Sequence, residues 1–117
     1  MSFDAILSNK PDNLKAVAMQ LKGLVLRADK NIIEHVYTNA KVPVAVYCIG
    51  RNEVFGIQLM DRFCVLFLHH TENADTLSLK IEGEGKVPKH MKLTAVSPEL
   101  EIELKQVMKN IVKAAKG

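Results

Sequence analysis

This chain has little of several features that mark specialised proteins. It has no tryptophan and only 5% aromatic residues, which leaves little basis for a platform that stacks nucleotide bases. Its two cysteines, Cys48 and Cys64, are too few for a disulfide scaffold and fit no metal-ligand spacing. The longest apolar runs, residues 42–49 and 63–68, are too short to cross a bilayer. These shortages exclude a disulfide-stapled miniprotein and a protein built on transmembrane helices.

The excess of positive charge is also small. Sixteen basic and 13 acidic residues give a formal net charge of +3. A nucleic-acid-binding domain usually concentrates a stronger basic excess on one face, so nucleic acid is not an expected partner. The first residues, Met1 to Asp4, lack the basic region of a secretory signal. We therefore expect a cytoplasmic protein with no membrane partner.

The remaining composition is that of a globular domain. Hydrophobic residues make up 48% of the 117 positions and charged residues 25%. We expect one domain over residues 1–117, because the chain has no linker, repeat or low-complexity tract. Residues 1–10 are poorly patterned, although Phe3, Ile6 and Leu7 could form one helical turn against the domain.

Two long helices are predicted by apolar residues at helical spacing. The first covers about residues 12–28, and Gly23 within it suggests a close packing contact. The last helix begins after Ser97, a good cap, with Pro98 in its first turn. A shorter helix is predicted from Asp29 or Lys30 to about Tyr37.

Three strands are predicted next, over residues 42–49, 53–60 and 63–69. The connections between them are short enough to force hairpins, so the strands should form an antiparallel meander. The third strand is apolar on both faces, whereas a one-sided sheet should alternate. Its second face must be covered by another segment of the chain, by a partner subunit or by an apolar ligand.

The segment after these strands has two further alternating patterns, over residues 77–82 and 91–95. They could pair as strands across the intervening glycine turn, although the first is short enough to be a helical turn instead. The turn itself, Gly83 to Lys86, looks superficially like a phosphate cradle. It lacks the spacing of a P-loop, and neighbouring glutamates would repel an anion. A structural glycine turn is the better interpretation.

Catalytic or metal-binding constellations are not evident. His69 and His70 would point to opposite faces of a strand and so could not share a metal. Cys64 and His70 share a face but lie roughly 20 Å apart along an extended strand, too far for a nucleophile and its base. We expect no catalytic residue, no metal ligand and no cofactor.

One segment resembles a known family. Glu82-Gly83-Glu84-Gly85-Lys86, followed by His90 to Leu93, is similar to a signature of the YdhG-like bacterial domains of unknown function. Glu34 and Tyr37 resemble the family's Glu-x-x-Tyr, and residues 55–57 and 63–67 resemble its central hairpin. The resemblance covers about residues 13–116.

The resemblance implies an α+β fold in which an antiparallel β-sheet of four to five strands carries the N- and C-terminal helices on one face. Some members are described as frataxin-like iron chaperones, which makes iron binding an alternative function. Iron binding of that kind uses clustered carboxylates, whereas the first long helix here carries Lys15, Lys22 and Arg27.

The preferred hypothesis from the sequence is a non-enzymatic module that binds a small ligand or a protein on an uncovered sheet face and on the turn from Glu82 to Lys92. A homodimer through that face is a further possibility. A third hypothesis is an enzyme that uses Glu34 or His90 as acid or base. The candidate ligand-binding residues are Glu34, Tyr37, Tyr47, Phe67, His69, Lys86, Lys89 and His90.

Overall fold

A computed structural model describes residues 2–117 and has the α+β architecture that the sequence predicts. Three helices, α1 (Asp4–Leu7), α2 (Asp12–Ala28) and α3 (Pro98–Lys116), flank a five-stranded antiparallel sheet. The predicted bounds of the first long helix and the predicted start of the last one are confirmed. Ser97 caps α3, as predicted, because its hydroxyl accepts a 3.1 Å hydrogen bond from the Leu100 amide.

The sheet is a meander in which each strand pairs with its neighbour along the chain. Its strands are β1 (Ile33–Tyr37), β2 (Val44–Ile49), β3 (Asn52–Leu59), β4 (Cys64–Leu68) and β5 (His90–Leu93). The three predicted hairpin strands are therefore confirmed as β2, β3 and β4. A shift of register between Tyr47 and Cys48 interrupts the β2–β3 ladder.

The helix predicted to end at Tyr37 is wrong, because this segment forms β1 and pairs with β2. Its burial alternates with a period of two: Glu34 and Val36 are half-buried, while Ile33, His35 and Tyr37 are exposed. That period is the one expected of a strand with one covered face. Pairing with β2 also satisfies its backbone polar groups along one edge.

Of the two interpretations left open for residues 77–82, the strand does not form, and residues 77–78 lie in a turn. Only Glu82 pairs there, in an isolated bridge to His90 with two backbone hydrogen bonds of 2.8 and 2.9 Å. Leu77 has a φ of +52°, which breaks any extended run. The predicted glycine turn is present, since Gly83 and Gly85 both have positive φ.

The two faces of the sheet differ. One face packs against α2 and α3 and forms the core, into which the sheet contributes Ala45, Tyr47, Phe55, Ile57, Leu59, Cys64, Leu66, Leu68, Met91 and Leu93. The other is called the open face here. It carries Ile33, His35 and Tyr37 of β1, Val44, Val46 and Cys48 of β2, Glu53, Gly56 and Gln58 of β3, Val65 and Phe67 of β4, and His90 and Lys92 of β5.

The helices and the long loop before β5 all lie on the covered side. α2 and α3 run in the same direction, since Gln20 hydrogen-bonds Glu101 near the start of α3 and Asp29 meets Lys116 at its end. The loop is tied to α3, where the Ser78 hydroxyl donates to the Glu103 carboxylate at 2.7 Å. The open face is thus left without a covering layer in residues 2–117. Within the same residues, every helix is too short or too polar to span a membrane.

Candidate functional site

The open face is organised in rows that run across the strands. Strand register places His35, Val46, Gly56, Phe67 and His90 in one row, from one edge of the sheet to the other. Side chains directly opposite one another in an antiparallel pair project from the same face. The row therefore brings together two predicted site residues, Phe67 and His90, whose ring centroids are 6.1 Å apart.

Phe67 fills the space that Gly56 leaves open. A Cβ built on Gly56 would lie 3.1 Å from Cδ2 and 3.2 Å from Cβ of Phe67, so the phenyl ring covers the glycine. Val65, two residues earlier on the same face, is only 6% exposed. Side chains of the chain itself therefore account for part of the two-sided apolar character of β4. The centre of the open face becomes flat rather than concave.

The ring of His90 is held in one orientation. Its Nδ1 lies 2.8 Å from the carbonyl oxygen of Pro88, and because a carbonyl only accepts, Nδ1 carries the hydrogen. Nε2 then faces the Glu82 carboxylate at 3.9 Å.

The glycine turn is closed by its own lysine. Lys89, a predicted site residue, donates a hydrogen bond from Nζ to the Gly83 carbonyl oxygen. Its side chain therefore lies against the turn. Lys86 is exposed at the tip. Neither lysine joins Phe67 in the row, so the turn borders the open face only through His90.

His69 follows β4 directly and lies at the border of the sheet. Its Nε2 is 3.9 Å from Oε2 of Glu53. Burial lowers the pKa of His69, and the nearby Glu53 charge opposes that effect only in part. The neutral imidazole is therefore favoured at this site.

Glu34 and Tyr47 belong to the covered face and not to the open one, which corrects the predicted placement of Tyr47. The Tyr47 side chain has no exposure, and its hydroxyl donates a 2.7 Å hydrogen bond to Oε2 of Glu34. Lys22 of α2 lies 3.3 Å from the same oxygen, and its Nζ sits 4.5 Å above the Phe3 ring. Burial, and then the bond to Glu34, raises the pKa of Tyr47 well above its ordinary value.

The Glu34 cluster joins α1, α2, β1 and β2, and its charges are satisfied among themselves. Tyr37, another candidate residue, is on the opposite side of β1, where it is 47% exposed. Glu34 and Tyr37 therefore share a strand but no surface. The cluster fastens the β1 edge to the helices, whereas Tyr37 belongs to the open face.

The two thiols lie on opposite faces of the sheet and are both free. Cys64 is buried in the core, and burial raises its pKa to about 12. Cys48 is half-buried on the open face, and burial together with Glu53 raises its pKa as well. Neither is poised as a nucleophile. Within residues 2–117, no group of three or more His, Cys, Asp and Glu side chains is arranged so that it could bind a metal ion.

Several open-face residues were not among the predicted site residues, notably Ile33, Val46 and Lys92. Ile33 is 57% exposed, which is unusual for such a large apolar side chain on a strand. The sequence signal that could have identified this face is the spacing of Ile33, His35 and Tyr37 at every second position. That spacing indicates one face of a strand once the helix predicted to end at Tyr37 is set aside. Val46 is then identified by its pairing with His35.

Comparison of the chain with protein-family models, with characterised proteins and with solved structures gives no match.

Proposed function

We propose that this protein is a non-enzymatic binding domain whose open face binds a partner protein. The observation that carries the proposal is an apolar sheet face without a covering layer, on which Ile33 and Tyr37 are 57% and 47% exposed. Exposed apolar patches with polar rims commonly mark protein interaction sites. Membership of the YdhG-like family, through the turn at residues 82–86, and a cytoplasmic location form part of the proposal.

The flatness of the open face favours a protein over a small ligand. Small molecules bind in concave sites that surround most of their surface. The Phe67 ring fills the depression above Gly56. Clefts between the long helices and beside the loop at residues 71–89 are lined by other side chains. A flat apolar surface is better matched by another flat surface.

The charges of the open face indicate the chemistry of the partner. The rows of this face carry the basic side chains His35, His90 and Lys92. Strand pairing also places Glu53 beside Cys48 and Glu82 beside His90 on the same face. A complementary surface would combine apolar side chains with charges of both signs at its rim. Charge alone does not separate a second copy of this face from a different protein, so the oligomeric state has to be measured.

The size of the open face indicates a transient complex. Five strands with the usual spacing and length give a face of about 20 Å by 17 Å, or roughly 350 Å². A standard interface buries about 800 Å² per partner. The complex should therefore form and dissociate readily.

The test is affinity capture from cell extract by immobilised protein, with Val46→Glu as the disrupting variant. Val46 lies in the middle of the His35–His90 row, so a carboxylate there should abolish capture of the partner. Lys113→Glu, on the exposed side of α3, is the control that introduces the same side chain elsewhere and should leave capture unchanged. Equal capture by wild type and Val46→Glu would overturn the proposal, and so would the failure of wild type to capture any protein specifically.

Light scattering separates the homodimer from this proposal. A mass that stays monomeric at high protein concentration would remove the second copy as the partner. A dimer that Val46→Glu dissociates would show instead that the open face binds its own copy. Iron binding, and catalysis by Glu34 or His90, stay hypotheses from the sequence because no contact favours either.

A further inference from the structure

A small cleft on the opposite side of the molecule, here called the basic cleft, lies between the end of α2 and the middle of α3. It is lined by Leu24, Arg27 and Ala28 of α2 and by Lys105 and Lys109 of α3. Its volume is about 170 Å³. Three cationic side chains therefore surround an apolar floor made by Leu24 and Ala28, and no carboxylate lines the cleft.

The cations of the basic cleft are largely free of partners. Lys105 has Glu101 at 4.0 Å, and Glu101 is half-buried between the helices, where it also accepts a hydrogen bond from Gln20 of α2. Within residues 2–117, Arg27 and Lys109 have no carboxylate within 4.0 Å. Arg27 and Lys109 are therefore like charges without counterions, which raises the free energy of the folded chain, and an anion bound between them would lower it.

Gly23 allows Arg27 to adopt its position. The place that a Cβ on Gly23 would occupy is 3.3 Å from Nη2 of Arg27, so the guanidinium lies back along the surface of α2. A side chain at residue 23 would displace it. The glycine inside a long helix is thus explained by the arginine that lies over it.

Negative groups close to the basic cleft do not cancel its charge. Asp29 follows Ala28, but its carboxylate is bound by Lys116 at 2.8 Å. The last turn of α2 carries the negative end of the helix dipole, which amounts to roughly half a unit charge. Glu101 lies against Lys105, and the two unpaired positive charges of Arg27 and Lys109 outweigh the dipole.

We infer that the basic cleft binds a small phosphorylated compound, with the phosphate between Arg27 and Lys109 and a short apolar group against Leu24 and Ala28. The guanidinium offers a paired set of donors to phosphate oxygens, and the ammonium adds a point charge. The volume of about 170 Å³ is close to the ~150 Å³ of a cavity that holds benzene and below the range of about 300 Å³ and more for drug-sized ligands. The cleft therefore fits a compound no larger than a phosphate with one small ring or chain.

The test is an NMR titration of the full chain with three probes: inorganic phosphate, phenyl phosphate and phenol. We expect amide shifts to concentrate at residues 24–28 and 105–109, with phenyl phosphate binding more tightly than phosphate or phenol. Raising the salt concentration from 50 to 200 mM should weaken binding. Shifts spread over the whole surface, or equal affinity for phosphate and phenyl phosphate, would overturn the inference.

Charge-removing variants locate the site. Arg27→Gln and Lys109→Gln should each reduce the affinity for phenyl phosphate about tenfold, as expected for the loss of one charge-assisted hydrogen bond. Lys15→Gln is the matched control, since it removes the same charge from α2 about 18 Å away from Arg27. An equal loss of affinity in Lys15→Gln would show that only net charge matters and would overturn the inference. The site is independent of the open face, so Val46→Glu should leave it unchanged.

Discussion

The Tyr47 hydroxyl and the Glu34 carboxylate are joined by a 2.7 Å hydrogen bond beneath α2. Tyr47 has no exposure, while the Glu34 side chain keeps 22% and also contacts Lys22. Tyr47→Phe should therefore lower the free energy of unfolding by about 1–2 kcal/mol, the contribution of a hydrogen bond to a charged group. Urea denaturation measures this value. Tyr37→Phe, at a 47% exposed position on the same sheet, is the control and should change stability by less than about 0.5 kcal/mol.

Gly56 and Gly23 predict opposite effects of the same substitution. Gly56→Ala would place Cβ 3.1–3.2 Å from the Cδ2 and Cβ atoms of Phe67, and the Cβ is fixed to its backbone. We expect a loss of about 1–3 kcal/mol from overpacking. At Gly23 the close neighbour is the flexible end of Arg27, so Gly23→Ala should stabilise α2 by about 0.5–1 kcal/mol. Thermal unfolding of both variants measures the contrast, and a Gly56→Ala protein as stable as wild type would show that Phe67 does not need the glycine.

His69 should make stability depend on pH in the mildly acidic range. Burial lowers its pKa below the ordinary value of 6.5, so the unfolded chain binds the proton more readily than the folded chain. The contribution of His69 to the free energy of unfolding is therefore fully present above about pH 6.5. It is lost as the pH falls through 6.5 and then through the lower pKa of the folded state. Unfolding by urea between pH 5 and 8 should show this fall in wild type and a smaller fall in His69→Gln. Identical slopes in the two proteins would show that His69 does not carry the effect.

The two thiols should react at very different rates. Cys48 is half-buried on the open face, whereas Cys64 is fully buried and its pKa is raised to about 12. A thiol reagent such as an aromatic disulfide should modify Cys48 slowly and Cys64 only when the chain unfolds. Absorbance of the released thiolate counts the modified groups. Cys48→Ser should remove the native-state reaction, and two groups reacting together in native wild type would contradict the burial of Cys64.

Much of the fold was predictable because the long elements have strong periodicity. α2 and α3 each bury a continuous apolar stripe, and the turn residues between β2, β3 and β4 set short hairpins. β1 was misread as a helix because it lies at the sheet edge and turns a carboxylate, Glu34, toward the covered face. A polar residue in an inward position hides the alternation that identifies a strand.

The sequence predicted only part of the candidate site. The predicted and observed positions differ because the sequence does not reveal the register of the strands. Phe67 and His90 do meet on the open face, because their strands are paired. Tyr47 was assigned to the same face, but it pairs with Phe55 and so points into the core. Alternation along one strand separates its residues into two faces. It does not show which of these faces lies on the same side of the sheet as a given face of the neighbouring strand. The register shift beside Tyr47 adds to that ambiguity.

The meander order of the sheet has a consequence for how the chain folds. Each strand pairs only with its neighbour in sequence, so the sheet can grow by adding one adjacent segment at a time. The contacts of Gln20 with Glu101 and of Asp29 with Lys116 instead join positions 81 and 87 residues apart. Closing such long loops costs more entropy than forming a hairpin, so we expect α3 to dock after the strands have paired. Substitutions in α3 should then speed unfolding more than they slow folding.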